Sequence, residues 1–298
     1  MEGDFGTMTK KVGLIGYGYW GKNLARCFKE LGVLWAIADQ DEKKVYEANE
    51  ILGVSNLAAD LEALLALGCD AVAIATPPET HYDLACQVLR AKKDVFIEKP
   101  MTTSYDQATG LVNLANLSNV NLVVGHIYLH NEGIQRMPIP VGRSELYVQL
   151  LNEGGPPSES TRDLAWAGLP HACSLALHFF PDWPVDIEVD RDDNRIKAVL
   201  SYWNGSEVYL DVGDYTGRKL RRVELRIQDS RYLFDVTNPE GVTLLSGIES
   251  TSFGYGQDKK KTEPLLVECK AFLEYEGVDP MGPKVVKLIE EILSECKS

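Results

Sequence analysis

The chain is predicted to be an α/β protein of two domains: an N-terminal doubly wound parallel sheet, then an α+β domain built on a largely antiparallel sheet. Three observations carry this. From Lys11 to about Val124, short β-rich runs alternate with helical patterns, as in parallel strands joined by crossover helices. From Ile187 to Leu245, strand pattern follows strand pattern with no helix between. Two helical patterns, 264–276 and 283–296, come last. A length of 298 residues suits two domains, expected at 10–127 and 128–298, and the last helix is a candidate to dock back on the first domain.

In chain order, the residues before Lys10 read as a frayed tail, and Val12-Gly13-Leu14-Ile15 is the first strand. It runs into Gly16-Tyr17-Gly18-Tyr19-Trp20-Gly21, and a helical pattern over 22–31 follows, ended by Gly32 at a natural C′ position. A second apolar run, 33–38, ends on Asp39. Asp41 and Asp60 are expected N-caps of the next two helices, because a short carboxylate satisfies the first exposed N–H groups. Ala71-Val72-Ala73-Ile74-Ala75 is almost wholly apolar, as a strand buried on both faces must be, and it stops at Thr76-Pro77-Pro78. A helix over 81–91 leads to Val95-Phe96-Ile97, which Glu98-Lys99-Pro100 breaks; a helix over 104–116 and a strand over 122–124 bring the count to six strands.

Beyond Gly125, Pro138, Pro140, Pro156 and Pro157 interrupt the chain around one clear strand, 145–151, and a helical stretch over 172–179 surrounds His171. Runs at 196–203 and 208–212 flank Asn204-Gly205, a hairpin signal, since both central residues of that turn need positive φ. Val223-Glu224-Leu225-Arg226-Ile227 alternates apolar and polar, so that strand has one wet face.

Composition narrows the function. A net charge of −14 disfavours nucleic acid and anionic membrane surfaces as partners, because phosphates are repelled. The six cysteines form no CxxC pair and lie in apolar contexts, so they read as buried free thiols in a reducing, cytoplasmic setting. No apolar run reaches bilayer-spanning length, and the N-terminus lacks signal-peptide regions. Metal-ligand spacing, a Gly-x-Ser-x-Gly elbow and a Gly-Lys-Ser/Thr phosphate loop are missing.

The strand, glycine turn and helix around Gly16, Gly18 and Gly21 carry the chemistry that is legible. The first glycine permits the tight turn, the second lets backbone approach a pyrophosphate, and the third lets the helix pack close to the strand. Asp39 lies at about the twenty-residue distance at which a carboxylate grips a ribose 2′-hydroxyl. It repels a 2′-phosphate, and Gln40 and Asp41 follow rather than Arg or Lys, so NAD(H) is expected over NADP(H). Ligands of open parallel sheets sit beyond the carboxyl ends of the strands, where Thr76-Pro77-Pro78 and Glu98-Lys99-Pro100 fall. Lys99 there reads either as a proton-exchanging amine or as a solvated lysine after an edge strand. His81 reads as a loop-fixing residue, His126 as a cleft-lining or hinge residue, His171 as a polar helix start; His130 and His178 carry no signal.

Gly16-Tyr17-Gly18-Tyr19-Trp20-Gly21, Ala75-Thr76-Pro77-Pro78 with His81, and Glu98-Lys99-Pro100 together resemble the glucose-fructose oxidoreductase/inositol dehydrogenase/MocA-type (Gfo/Idh/MocA) family of Rossmann-fold oxidoreductases. Gly125-His126, His171 and Glu263-Pro264-Leu265 leading into Phe272-Leu273 extend the resemblance through most of the chain. The Tyr-Trp of the turn with Lys22-Asn23-Leu24-Ala25-Arg26 is most similar to bacterial UDP-N-acetylglucosamine and UDP-N-acetylglucosaminuronate 3-dehydrogenases.

The resemblance implies oxidation of a sugar-ring hydroxyl with hydride passing to NAD, and Lys99 and His171 acting in proton transfer or orientation. It also implies that Gly16, Gly18, Tyr19, Trp20, Gly21 and Asp39 bind the cofactor, joined by Thr76, Pro77, His81, Glu98, Lys99 and His126. Many members carry Asp four residues before the histidine; here that residue is Ala167, and the nearest Asp is Asp163. The alternative is an NAD(H)-binding member with little or no catalysis, serving as sensor or assembly partner; reduction of a non-sugar substrate is a third reading. The partners implied are a small sugar or sugar nucleotide and further copies of the chain as a dimer or tetramer, the latter through the open sheet face.

Overall fold

The computed structural model describes residues 10–153, 160–214, 217, 219–235, 242–246, 249–253 and 263–296. The tail before Lys10, Pro156 and Pro157 lie outside them. The chain falls into two compact units, one running to Gly125 and including Leu265–Pro283, the other comprising His126–Pro264 and the residues from Lys284 onward.

The first unit alternates β1 (Val12–Ile15), α1 (Gly21–Glu30), β2 (Leu34–Ala38), α2 (Glu42–Leu52), β3 (Asn56–Ala58), α3 (Leu61–Ala66), β4 (Ala71–Ile74), α4 (Pro78–Arg90), β5 (Asp94–Glu98), α5 (Tyr105–Ser118) and β6 (Leu122–Gly125). All strands pair in parallel, in the order β3-β2-β1-β4-β5-β6, the doubly wound order whose reversal beside β1 opens a ligand crevice. β1 and β4 are buried along their whole length, which is why both read as continuous apolar runs. Asp41 and Asp60 do cap α2 and α3, accepting from the Lys43 and Ala63 amides.

Late in the chain, α8 (Pro264–Glu274) sends Phe272 against Phe28 and Phe96, with ring centroids 6.3 and 5.6 Å apart, in edge-on packing that suits aromatic quadrupoles. Val278 then bridges Leu122 in parallel, and the Leu122 amide donates to the Gly277 carbonyl at 3.0 Å, so the outer edge of β6 is covered.

The second unit holds a short 3-10 turn (Ile127–His130), α6 (Glu132–Gln135), β7 (Ser144–Leu151), α7 (Thr161–Phe179), β8 (Asp186–Asp192), β9 (Arg195–Ser201), β10 (Glu207–Gly213), β11 (Leu220–Ile227), β12 (Ser230–Asp235), β13 (Val242–Ser246) and β14 (Glu249–Phe253). The last helix of the chain is α9 (Met281–Glu295). The strands form one sheet ordered β14-β13-β12-β11-β7-β10-β9-β8, antiparallel except for the central β7–β10 pair. Asn204-Gly205 makes the β9–β10 turn, with Gly205 at φ 75° and the Ser206 amide bonded to Asn204 Oδ1. Leu146, Val148, Leu150, Val208, Leu210 and Val212 form the buried face, against which α7 packs. On the other face Tyr147 and Tyr209, directly paired in register, stack at 4.5 Å, and Glu224 takes ion pairs from Arg222, Arg226 and Arg231.

α7 differs from expectation. It begins at Thr161, capped by Ser160, and runs through Pro170, so His171 lies inside the helix rather than at its start. A proline there removes one backbone donor, yet twelve residues of this helix are buried, and packing holds the turn together. Among the described residues no helix is long and apolar enough to cross a membrane.

Candidate functional site

The first unit gathers its predicted residues at the carboxyl ends of β1, β2, β4 and β5. Gly16 sits at φ 95°, and a side chain there would strike the Ala75 carbonyl at 2.6 Å. At Gly21 a Cβ would lie 1.9 Å from the Gly16 carbonyl oxygen, so only glycine lets α1 start this close to the turn. A Cβ on Gly18 would meet nothing within 4 Å, so that stretch of backbone is open to close approach. Tyr19 projects into solvent at 88% exposure.

Asp39 is buried and anchored: Oδ2 accepts from the Tyr17 amide at 2.8 Å and Oδ1 from the Asp41 amide at 2.9 Å. The turn and the carboxylate are thus one hydrogen-bonded piece. The residues present fit a dinucleotide: a glycine cradle at a helix N-terminus, with a fixed carboxylate at the neighbouring strand end. One neighbour was not foreseen. Lys44, in the first turn of α2, brings its ammonium to 3.5 Å from Asp39 Oδ2, although residues 40 and 41 carry no cation.

His81, fourth residue of α4, is buried with Nδ1 2.8 Å from the Pro100 carbonyl oxygen and Nε2 2.8 Å from that of Thr76. It ties the end of β4 to the end of β5, and burial lowers its pKa. Thr76 is half-buried and Pro77 exposed. Glu98 is buried; the Trp20 indole N–H donates to one carboxylate oxygen and the Lys99 amide to the other at 3.2 Å. Burial pushes this carboxyl up to about 7 against those bonds. Lys99, in a cis peptide bond with Pro100, is half-buried, and desolvation holds its ammonium below the usual lysine range, with Glu98 opposing. β5 lies inside the sheet, so Lys99 does not follow an edge strand.

In the second unit, His126 is buried directly after β6. His171 lines a cavity of about 160 Å³ with Tyr128, Asn152, Ala167, Asp214 and Arg221. The Tyr128 and His171 rings meet edge-on at 5.1 Å. Arg221 donates to the Leu151 and Leu220 carbonyls at 2.5 and 3.0 Å and to Asn152 Oδ1. Asn152 Nδ2 in turn donates to Asp214 Oδ1 at 2.6 Å. Four of these side chains escaped the sequence reading. One signal was available: Asn152 and Asp214 each follow one of two paired strands, Leu151 facing Gly213 in the register.

Residues 10–126 match the family model GFO_IDH_MocA, described as an oxidoreductase family with an NAD-binding Rossmann fold. Over this segment the chain resembles the Gfo/Idh/MocA oxidoreductases. Its curated relatives include UDP-N-acetylglucosamine 3-dehydrogenase of Acidithiobacillus ferrooxidans, 30% identical over 42% of this chain and 39% of that protein. Myo-inositol 2-dehydrogenase of Thermotoga maritima is 30% identical over 39% of this chain and 35% of that one. The matched segment thus spans about a third of these relatives' length. Among solved structures, the A. ferrooxidans UDP-N-acetylglucosamine 3-dehydrogenase GnnA superposes with TM-score 0.85 over 96% of this chain and 97% of its own, at 22% identity. Biliverdin reductase of Synechocystis, in complex with biliverdin and NADP+, superposes with TM-score 0.78 over 97% of this chain and 99% of its own, at 20% identity. At these identities the structural likeness establishes the fold of both units, a Rossmann unit and a mostly antiparallel sheet.

Proposed function

We propose that this chain is an NAD-dependent dehydrogenase oxidising a ring hydroxyl of a sugar or sugar nucleotide, of the UDP-N-acetylglucosamine or UDP-N-acetylglucosaminuronate kind. The observation that carries the reading is Lys99: a half-buried amine beside Glu98, its ammonium destabilised by desolvation, two strands from the glycine turn in the order β1-β4-β5. NAD, when bound, supplies the hydride acceptor. The chain's part is acid–base and positional: Lys99 takes the hydroxyl proton as the carbon loses hydride, leaving a carbonyl and NADH, and His171 orients the substrate or shares that proton. Gly16, Gly18 and Gly21 cradle the pyrophosphate and Asp39 the ribose, while Trp20 and His81 fix the strand ends around them. The working form is a cytoplasmic homo-oligomer joined through the tyrosine-bearing face of the large sheet.

Lys99→Ala tests this. The variant is expected to bind NADH as the wild type does and to form none from NAD and substrate. Equal turnover by wild type and variant refutes the role. Ala167, one helical turn before His171 in the same cavity, favours a second reading, NAD(H) binding with little turnover. In that case NADH binds tightly to the wild type and no sugar in a broad panel is oxidised.

A further inference from the structure

Trp20 belongs to the glycine turn, immediately before the first residue of α1, yet its side chain reaches past β4 to the end of β5. The indole N–H donates to Glu98 Oε1, and the other carboxylate oxygen, Oε2, accepts from the Lys99 amide at 3.2 Å. Glu98 pairs in register with Gly125 at the end of β6, and a Cβ on Gly125 would come within 3.3 Å of the carboxyl carbon and of Oε1. Glycine there gives the carboxyl its room. One buried carboxyl therefore ties the turn after β1 to the strand end that carries Lys99.

The charge of that carboxyl is a balance. Burial favours the protonated acid, while the Trp20 N–H, the Lys99 charge and the Lys99 amide favour the carboxylate. Lys99 has the mirror image: burial favours the neutral amine, and the Glu98 charge favours the ammonium. On α8, Cys269 feels the Glu98 charge, but burial pushes its thiol well above the usual range and keeps it neutral; Glu268, next to it in sequence, bears on the same thiol. On α4, His81 feels Lys99, and burial lowers its pKa. A tie that served only to hold two strand ends together would need an acceptor of any kind. A donor aimed at a group that titrates also decides which form of that group prevails.

We propose that Trp20 is a positioning residue for Lys99 that acts through Glu98: by donating to the carboxylate it keeps Glu98 ionised, and the ionised Glu98 favours the ammonium form of Lys99. The proton that Lys99 takes from a substrate hydroxyl is then accepted beside a negative charge fixed from the glycine turn. Without the indole donor, Glu98 stays protonated over a wider pH range and Lys99 becomes the weaker base. The inference rests on the dehydrogenase reading for the use made of the proton, and on the hydrogen-bonded geometry for the linkage itself.

The test is competitive acetylation of the full-length protein as a function of pH, read at Lys99 by peptide mass spectrometry. Trp20→Phe, which keeps an aromatic ring and removes the N–H, is expected to lower the pH midpoint of Lys99 labelling by at least about half a unit. Glu98→Gln is expected to lower it as far or further, and adding Trp20→Phe to Glu98→Gln to change it no more, since the indole then has no charge to hold. Urea midpoints give a second reading. The gap between wild type and Trp20→Phe is expected to widen as pH rises through about 7, because the lost bond is to the ionised form, whereas lost packing alone lowers the midpoint equally at every pH. A Lys99 midpoint unmoved by Trp20→Phe overturns the proposal, as does an equal shift in the Glu98→Gln background. If Trp20→Phe does not fold, Glu98→Gln decides: a Lys99 midpoint that it lowers supports the linkage, and one that it leaves in place overturns it. Absence of NADH formation from NAD with every sugar tried counts against the dehydrogenase reading alone, because the labelling needs no turnover.

Discussion

The proposed preference for NAD over NADP rests on Asp39, which the fold places beside Lys44, and exchanging the two makes a quantitative test. The Asp39 carboxylate is buried and held by two backbone amides, while Lys44, 41% exposed, sits 3.5 Å from it. Asp39→Ser removes a charged acceptor from the ribose; hydrogen bonds to charged groups contribute about 1.5–3 kcal/mol, so NADH affinity is expected to fall roughly ten- to hundredfold. The same change removes the repulsion of a 2′-phosphate and releases Lys44 from its ion pair. An exposed pair of this kind contributes up to about 1 kcal/mol, a factor of about five. Adding Lys44→Gln to Asp39→Ser is therefore expected to take back about fivefold in NADPH affinity and to leave NADH within about twofold, a double-mutant coupling. Nicotinamide fluorescence titrations of the four proteins at fixed ionic strength measure it. An NADPH/NADH ratio that Asp39→Ser does not raise refutes the ribose role of Asp39; a raised ratio indifferent to Lys44 refutes the role given to the lysine.

Glu98 makes stability pH-dependent in a definite direction. Its carboxyl titrates near 7 when folded against 4.5 in the unfolded chain, so the native state holds the extra proton and stability declines as pH rises from about 4.5 to 7. Denaturant midpoints across that range should show the decline in wild type and its loss in Glu98→Gln; parallel slopes would contradict the burial argument. Phe272→Ala opens a void between Phe28 and Phe96 and is expected to cost about 3–5 kcal/mol in urea unfolding. A loss below about 1 kcal/mol, the size of an ordinary substitution, would mean that α8 is not part of that core.

The alternating first unit was legible because its signals are local. A continuous apolar run such as Ala71–Ile74 and a capping Asp41 each report on residues within one turn or strand of themselves. The glycine turn with Asp39 was legible for the same reason, a fixed spacing tied to one supersecondary unit. The first half of α7 was not legible because its helix runs through Pro170 on the strength of buried faces that no short window contains. The His171 cavity was illegible for a related reason: Asn152, Asp214 and Arg221 meet only through the β10-β7-β11 register, and Tyr128 joins them from the 3-10 turn that precedes those strands. Lys44 lies between these cases, since its distance from Asp39 depends on the angle at which α2 leaves the strand end.

The return of Leu265–Pro283 to the first unit has a consequence for how the protein comes into being. The Rossmann segment leaves the ribosome early, with one side of Phe28 and Phe96 bare and the outer edge of β6 uncovered until Phe272 and Val278 have been made. Domains generally fold in order of synthesis, but this one is completed only after the whole eight-stranded sheet has emerged. Its last contacts close a loop of about 140 residues, from Gly125 to Leu265, and such closure slows folding more than it weakens the product. A nascent chain stalled before Phe272 therefore presents an apolar cleft and an unpaired strand edge, the features by which chaperones and aggregates alike take hold of a protein.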